Sequence, residues 1–349
     1  MISENLTDRE KSILRYVINQ YILTATPVGS RSISSKYNLG VSPATVRNIM
    51  SELEELGYLG HPYTSAGRIP TDQGYRLYVD SLMDSPKLNK EEYELIDNQL
   101  EQTDFETNEI LKITSSLLSS LTNQLACVSY PKLGNAILRK IQLVPLSSSK
   151  ILVVVSIKTG MIRTITLEIK ARYEKNTLRT VEQFLNQRLS GLTFTEIRNS
   201  ISERIRNYST KNNKPVIRVF LDSVEKIFKD VKSSEDSIIT GTKNIINQPE
   251  FTDTNNFKSI IELAEDKDII IHIMEKESTK KTGDVSVTIG SEIEEEKLND
   301  YSIVVKEYNI GQIAGNIGII GPKRMKYSHT IASVVYMAEL LSKTFKNKK

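Results

Sequence analysis

The sequence is poor in the residues on which most enzymes, secreted proteins and membrane proteins depend. Of its 349 residues one is cysteine, Cys127, and three are histidine, His61, His272 and His329. A single cysteine excludes an internal disulfide framework and any Cys-x-x-Cys pair. Beside an apolar helical run, Cys127 reads as a small buried hydrophobe rather than a reactive thiol. The histidines lie far apart and none has the spacing of a zinc-protease motif, so neither a metal site nor an enzyme is expected, and no cofactor is implied. Runs of eighteen apolar residues are missing, as is an apolar segment near the amino terminus, which disfavours membrane spanning and secretion and leaves a cytoplasmic protein as the expectation. Gly311-Gln-Ile-Ala-Gly315-Asn-Ile-Gly318 lacks Walker spacing and a following Lys-Ser/Thr, so it reads as turns and bulges in a sheet. The acidic run 292–296 reads as a solvated loop, and the basic stretch 321–327 as a structural turn.

Charge is also scarce in total but uneven in placement. The chain carries a formal +3, and residues 1–83 hold eight Lys/Arg against eight Asp/Glu. Between Lys11 and Ser51 there is no acid, while Lys11, Arg15, Arg31, Lys36 and Arg47 are basic; 56–71 is again free of acid. Segregation of this kind suits a surface that faces a polyanion, although so few cations give one copy weak affinity and call for a dimer on two half-sites.

Within the acid-free stretch, residues 42–56 divide into two faces when wound at 3.6 residues per turn. Val46, Ile49, Met50, Leu53 and Leu56 form an apolar stripe, and Ala44, Arg47, Asn48 and Ser51 lie opposite. Arg pairs bidentately with guanine and Asn with adenine, and small neighbours let the backbone approach, so this segment reads as a major-groove recognition helix. Ser42 is a suitable N-cap and Pro43 a suitable first residue, while Glu52, Glu54 and Glu55 keep the far end away from DNA. Upstream, Thr7-Asp8-Arg9-Glu10 has capping-box form ahead of a helical stripe, and 30–37 is a short second helix joined to the third by a Gly-bearing turn. That is a helix-turn-helix. Downstream, 58–71 is rich in Gly, Pro and small residues and suggests two short strands around a loop, a wing from which Arg68, Ser65 and the Gly67 backbone reach phosphate or the minor groove. Arg47 and Asn48 are expected to read bases, Ala44 and Thr45 to touch a thymine methyl or the backbone, and Ser42, Arg31 and Arg68 to hold phosphates.

The remainder is long enough for further cores. Helices are expected near 72–84, 90–104 and 110–125, then strands at 137–146, 151–157 and 161–169, and helices at 177–189, 194–208 and 215–231. Strand texture returns at 269–274, 285–289, 301–308 and 313–320 before a last helix over 328–345. Two strand-rich stretches around a mostly helical block suggest an α+β multidomain chain with one sheet domain interrupted by an insertion, the alternative being two independent domains. Its expected parts are a winged helix-turn-helix DNA-binding domain (1–84), a helical linker (85–125), a sheet domain in two parts (126–170 and 256–349), and an insertion (171–255) between them.

The string Tyr63-Thr-Ser-Ala-Gly-Arg-Ile-Pro-Thr-Asp-Gln-Gly-Tyr75, with Ser42-Pro-Ala-Thr-Val-Arg-Asn48 before it, resembles the HrcA family of bacterial heat-inducible transcription repressors. Asn247-Gln-Pro-Glu-Phe251, Thr288-Ile-Gly290 and Ile317-Gly-Ile-Ile-Gly-Pro-Lys-Arg-Met325 with Tyr327 extend the resemblance over nearly the whole chain. It implies a GAF-like sheet domain and a dimerising role for the insertion. It further implies a homodimer on double-stranded DNA at a CIRCE-type inverted repeat ahead of chaperone operons, released on heat stress, with the GroE chaperonin maintaining activity. The competing reading is a metabolite-responsive winged-helix regulator with a ligand in the GAF-like domain.

Overall fold

Thr7 opens the first helix as its spacing to Glu10 demands. In the computed structural model, which describes residues 6–37, 40–63, 67–101, 107–169, 175–206, 214–229, 237–251, 258, 261–263, 265–280 and 284–347, the Thr7 hydroxyl accepts the Glu10 N–H and the Glu10 carboxylate takes the Thr7 N–H at 2.6 Å. The helix α1 (Asp8–Thr24) buries Ile13, Leu14, Val17, Ile18 and Ile22, and Ala25 ends it in a left-handed conformation, φ 52°. The short α2 (Ser30–Lys36) and the longer α3 (Pro43–Glu55) follow; α3 buries Val46, Ile49, Met50 and Leu53 of the expected stripe, whereas Leu56, at the C-cap where the helix ends, is 49% exposed. Two antiparallel strands, β1 (Leu59–Gly60) and β2 (Ile69–Pro70), make the wing, with Leu59 opposite Pro70. After the Thr71 cap, α4 (Asp72–Leu77) runs into a π-helical turn at Tyr78–Leu82.

The next two helices, α5 (Lys90–Glu101) and α6 (Thr107–Thr122), were expected as a linker over 85–125, but α6 is part of a packed layer. It lies against β3 (Leu125–Val128) and the last helix of the chain. Leu125, expected at the end of a helix, instead begins this strand, because Asn123 takes a positive φ of 55° and turns the chain back.

The strands β4 (Leu138–Pro145), β5 (Lys150–Ile157) and β6 (Ile162–Glu168) stand where expected, but they pair only with one another among the described residues. Alternation in a sequence marks a strand, not its partner, and short hairpins let these three pair locally. Their sheet packs under α7 (Lys175–Leu189), and the outer edge of β4 is satisfied by side chains. The Asn186 amide bonds both the N–H and the C=O of Ile141 at 2.7 Å, and Glu182 accepts from Leu143 N–H at 2.9 Å. The helices α8 (Phe194–Ile205), α9 (Lys214–Asp222) and α10 (Val224–Phe228) complete this unit; the single helix expected over 215–231 is broken at Ser223. The excursion from the larger sheet therefore begins before β4, not at residue 171, and it is mixed α and β rather than mostly helical.

The chain returns as β7 (Ile238–Thr240), then α11 (Thr242–Ile246), α12 (Lys267–Lys280), β8 (Ser286–Ile289), β9 (Tyr301–Ile310), β10 (Ile313–Pro322) and α13 (Tyr327–Asn347). Five antiparallel strands assemble in the order β7-β3-β10-β9-β8. Their residues alternate between two cores: Ala126, Val128, Val304, Ile317 and Ile319 join the main core, and Leu125, Cys127, Ile303, Val305 and Ile320 join a second one. α6 and α13 cover one face and α12 the other, so this α+β sheet is buried on both sides. The expected strand at 269–274 is part of α12. Its β-branched run misleads, but Ile270, Ile273, Met274 and Glu277, buried together with Ile271, follow the i, i+3, i+4, i+7 pattern of a helix. Cys127 is a buried thiol, pushed up to about 12 by burial, and Gly311 turns the β9–β10 hairpin at φ +63°. Among the described residues no helix is long and apolar enough to cross a membrane.

Candidate nucleic-acid interface

The candidate face is built on the start of α3. Ser42 caps it, its hydroxyl accepting the Thr45 N–H at 3.1 Å and meeting the Thr45 hydroxyl at 3.0 Å. With the apolar stripe buried beneath, Ala44, Arg47 and Asn48 are left exposed, and Thr45 and Ser51 are half-buried. Arg47 and Asn48 lie in the first half of the helix, a turn or more before its acids.

A concave surface of about 490 Å³ collects the site. Among the expected residues, Arg31, Ala44, Arg47, Asn48, Gly67 and Arg68 line it, together with Val28, Gly29, Ser30, Pro43 and Met50. Three segments distant in sequence thus present three arginines to one hollow. Ser42, Thr45 and Ser51 lie on the same helix outside the lining, and Ser65 lies outside the described residues.

How the wing reaches this hollow is legible from its backbone. Arg68 exchanges both backbone hydrogen bonds with Val28, at 2.8 and 2.9 Å, which ties the return strand to the start of α2. Gly67 lies so close that a Cβ there would come within 2.6 Å of the Val28 backbone, so only glycine fits. Sequence reasoning gave that glycine a phosphate; the structure adds a steric reason for it.

The Arg68 side chain is not free. Its Nη2 is 2.6 Å from Glu54 Oε2, and the other Glu54 oxygen bonds His61 Nδ1. The Arg68 Nε is buried and has no hydrogen-bond partner among the described residues. Glu54 is the residue that sequence reasoning missed: it was counted among the acids that repel DNA, whereas it holds the wing arginine and the wing histidine at once. The available signal was the i, i+7 reach from Glu54 to His61 past Gly57, which a hairpin fold brings together. With the two side chains only 22% and 23% exposed, the pair is partly desolvated, and any anion that takes Arg68 must displace Glu54.

Two further cations flank the helices. The Arg15 guanidinium lies 5.2 Å from the centre of the Tyr16 ring, Lys36 Nζ lies 5.6 Å from that of Tyr37, and the two rings stack at 4.0 Å. Burial raises the Tyr37 hydroxyl, with the neighbouring Tyr16 adding to the effect. Among the described residues no group of three or more His, Cys, Asp or Glu is placed to hold an ion.

Comparison with known proteins agrees with this geometry. Residues 5–81 match the family model "Winged helix-turn-helix transcription repressor, HrcA DNA-binding", and residues 108–331 match "HrcA protein C terminal domain". The chain is 39% identical to the heat-inducible transcription repressor HrcA of Chlorobium phaeobacteroides (strain BS1), over 98% of this chain and 99% of that one. It is 38% identical to the protein of the same name from Chlorobium limicola, over 99% of both. A crystal structure of a hypothetical protein at 23% identity superposes with a TM-score of 0.66, covering 99% of this chain and 100% of the other; it supports the fold alone.

Proposed function

The chain belongs to the HrcA family of heat-inducible transcription repressors, and on that premise we propose how it reads DNA: as a homodimer, each copy placing the start of α3 in a major groove of one half-site. It is a regulator, not an enzyme, as its relatives are. The observation that carries the reading is the single hollow into which Arg31, Arg47, Asn48 and Arg68 converge from two helices and the wing. Arg47 and Asn48 read base edges; Ala44 and Thr45 meet a thymine methyl or the backbone; Arg31, Arg68 and the Ser42, Ser51 and Ser65 hydroxyls, with the Gly67 backbone, hold phosphates.

Three arginines per hollow give one copy little electrostatic affinity, which favours two copies on an inverted repeat of the CIRCE type. An apolar patch on the open face of the small sheet supports self-association: Val144, Leu146 and Ile162 are exposed there. Release on heating follows from marginal stability. A repressor only a few kcal/mol from unfolding loses its active fraction steeply with temperature, and a GroE-type chaperonin occupied by other clients no longer restores it. Footprinting upstream of chaperone genes tests the reading. Two protected half-sites related by a dyad are expected, and protection without dyad symmetry would overturn it.

A specific observation favours a second reading. A cavity of about 340 Å³ beside β10 is lined by Lys132, Asn135, Glu275, Glu307 and Gln312, polar groups that suit a small polar metabolite. Saturable thermal stabilisation by such a compound, with a matching change in operator affinity, would make the protein a metabolite-responsive regulator.

A further inference from the structure

Four of the five sequence strings that carry the family resemblance send residues to one place in the fold apart from the hollow that faces DNA. Asp72 and Tyr75 come from the string ending at residue 75, Glu250 from 247–251, Gly290 from 288–290, and Lys323, Arg324 and Tyr327 from the string beginning at 317. All of them lie where the winged helix-turn-helix abuts the five-stranded sheet domain.

The contacts there are specific in direction as well as charge. Lys323 Nζ is 2.8 Å from Asp72 Oδ1, and the Ser291 N–H donates to Asp72 Oδ2 at 2.9 Å. Gly290, at φ +54°, fits so closely that a Cβ there would stand 2.3 Å from Asp72 Oδ2. Arg76 grips Glu292 through Nε and Nη2 at 2.7 and 2.5 Å, and the same Nη2 donates to the Val287 carbonyl at 2.6 Å. Arg324 spans Glu250, at 2.5 Å, and the carbonyl of Ile22 near the end of α1, at 2.6 Å. Between them the buried rings of Tyr75 and Tyr327 lie 5.9 Å apart. A lone ion pair tolerates sliding, but a guanidinium that bridges a carboxylate and a backbone carbonyl does not.

We infer that Asp72, Arg76 and Arg324 are positioning residues: they fix the angle at which the reading head is carried, and so the distance and phase between the two recognition helices of a dimer. The inference rests on the reading of a dimer on an inverted repeat. None of these residues lines the hollow, so their effect appears in the geometry of the pair of half-sites and not in the contact with either one. DNA turns once in about 10–10.5 base pairs, so each base pair added between half-sites rotates one by roughly 35° about the axis. A dimer with rigidly held heads rejects such a change, and one with loose heads follows it.

The test uses the full chain and operator duplexes whose central spacer is lengthened or shortened by one to five base pairs, together with a duplex in which one half-site is scrambled. For the unaltered protein a sharp optimum is expected, with affinity falling about tenfold or more within two base pairs as the second head loses its site. Arg324→Gln and Arg76→Gln should flatten that profile while binding to the single half-site stays within about twofold, which also reports that the head is folded. Retention of the sharp optimum in both variants would overturn the inference. So would loss of half-site binding, since the residues would then hold the head's own fold. If the unaltered protein had no spacing optimum, the dimer reading itself would fall, and this inference with it.

Discussion

Arg47 and Arg68 line one hollow and yet differ in what holds them. Arg47 is exposed on α3, whereas Arg68 is bound to Glu54 and tied through its backbone to Val28. Arg47→Ala should therefore cost about 1–3 kcal/mol of specific binding with no loss of thermal stability; unchanged gel-shift affinity for the operator would refute the base-reading role. Glu54→Gln acts in the opposite sense. Without the carboxylate charge, Arg68 reaches phosphate without first leaving an ion pair, so operator affinity at low salt should rise. An affinity identical to that of the unaltered protein would mean that Arg68 does not meet phosphate. The sequence displayed Arg47 and Asn48 openly, because a face opposite an apolar stripe has no packing duty. It hid the state of Arg68, because the partner of a wing residue is set by the return of the hairpin and not by neighbours in the chain.

At the scale of elements, ends were more legible than partners. Ser42 and Thr7 cap the helices that their spacing marks, and Thr71 caps α4 besides. Ser42→Ala should destabilise by about 1 kcal/mol, read as a lowered midpoint in urea, and should weaken operator binding as the first turn of α3 frays; an unmoved midpoint would mean that the cap contributes nothing. The three strands from 138 to 168 were legible as strands, but nothing in their alternation says that they form a sheet apart. At 269–274 the β-branched run outweighed a buried helical pattern that appears only when Glu277 is counted with it. The acidic run at 292–296 reads as solvated until the fold brings Arg76, more than two hundred residues earlier, against Glu292. Long-range pairing of this kind has no local signature.

The whole molecule is held together across its domains by charge that titrates. Burial by itself would raise the Asp72 carboxyl, but hydrogen bonds from Lys323 and the Ser291 N–H, with the charge of Lys323, outweigh it and hold the group below its ordinary value. A carboxyl depressed in the folded state stabilises fully above its unfolded value of about 3.9 and loses that contribution as pH falls through the lower folded value. Thermal midpoints of the unaltered protein should therefore fall faster below about pH 4 than those of Asp72→Asn; parallel curves would remove Asp72 from the account of acid stability. At the same scale, Ile162→Asp on the open face of the small sheet should shift sedimentation from dimer toward monomer and weaken the two-site complex, leaving half-site binding in place. A dimer of undiminished stability would locate the interface elsewhere.

The strand pair β3–β7 sets Val128 directly opposite Ile238, with the three-stranded sheet and its four helices lying between them in sequence. The chain thus departs and comes back at adjacent positions on one sheet, the geometry of an ordinary hairpin whose turn has grown into a unit with its own hydrogen-bonded strands. Such a loop can lengthen, shrink or exchange its contents without altering the register of the strands that flank it. The small-sheet unit is thereby free to vary independently of the winged helix-turn-helix.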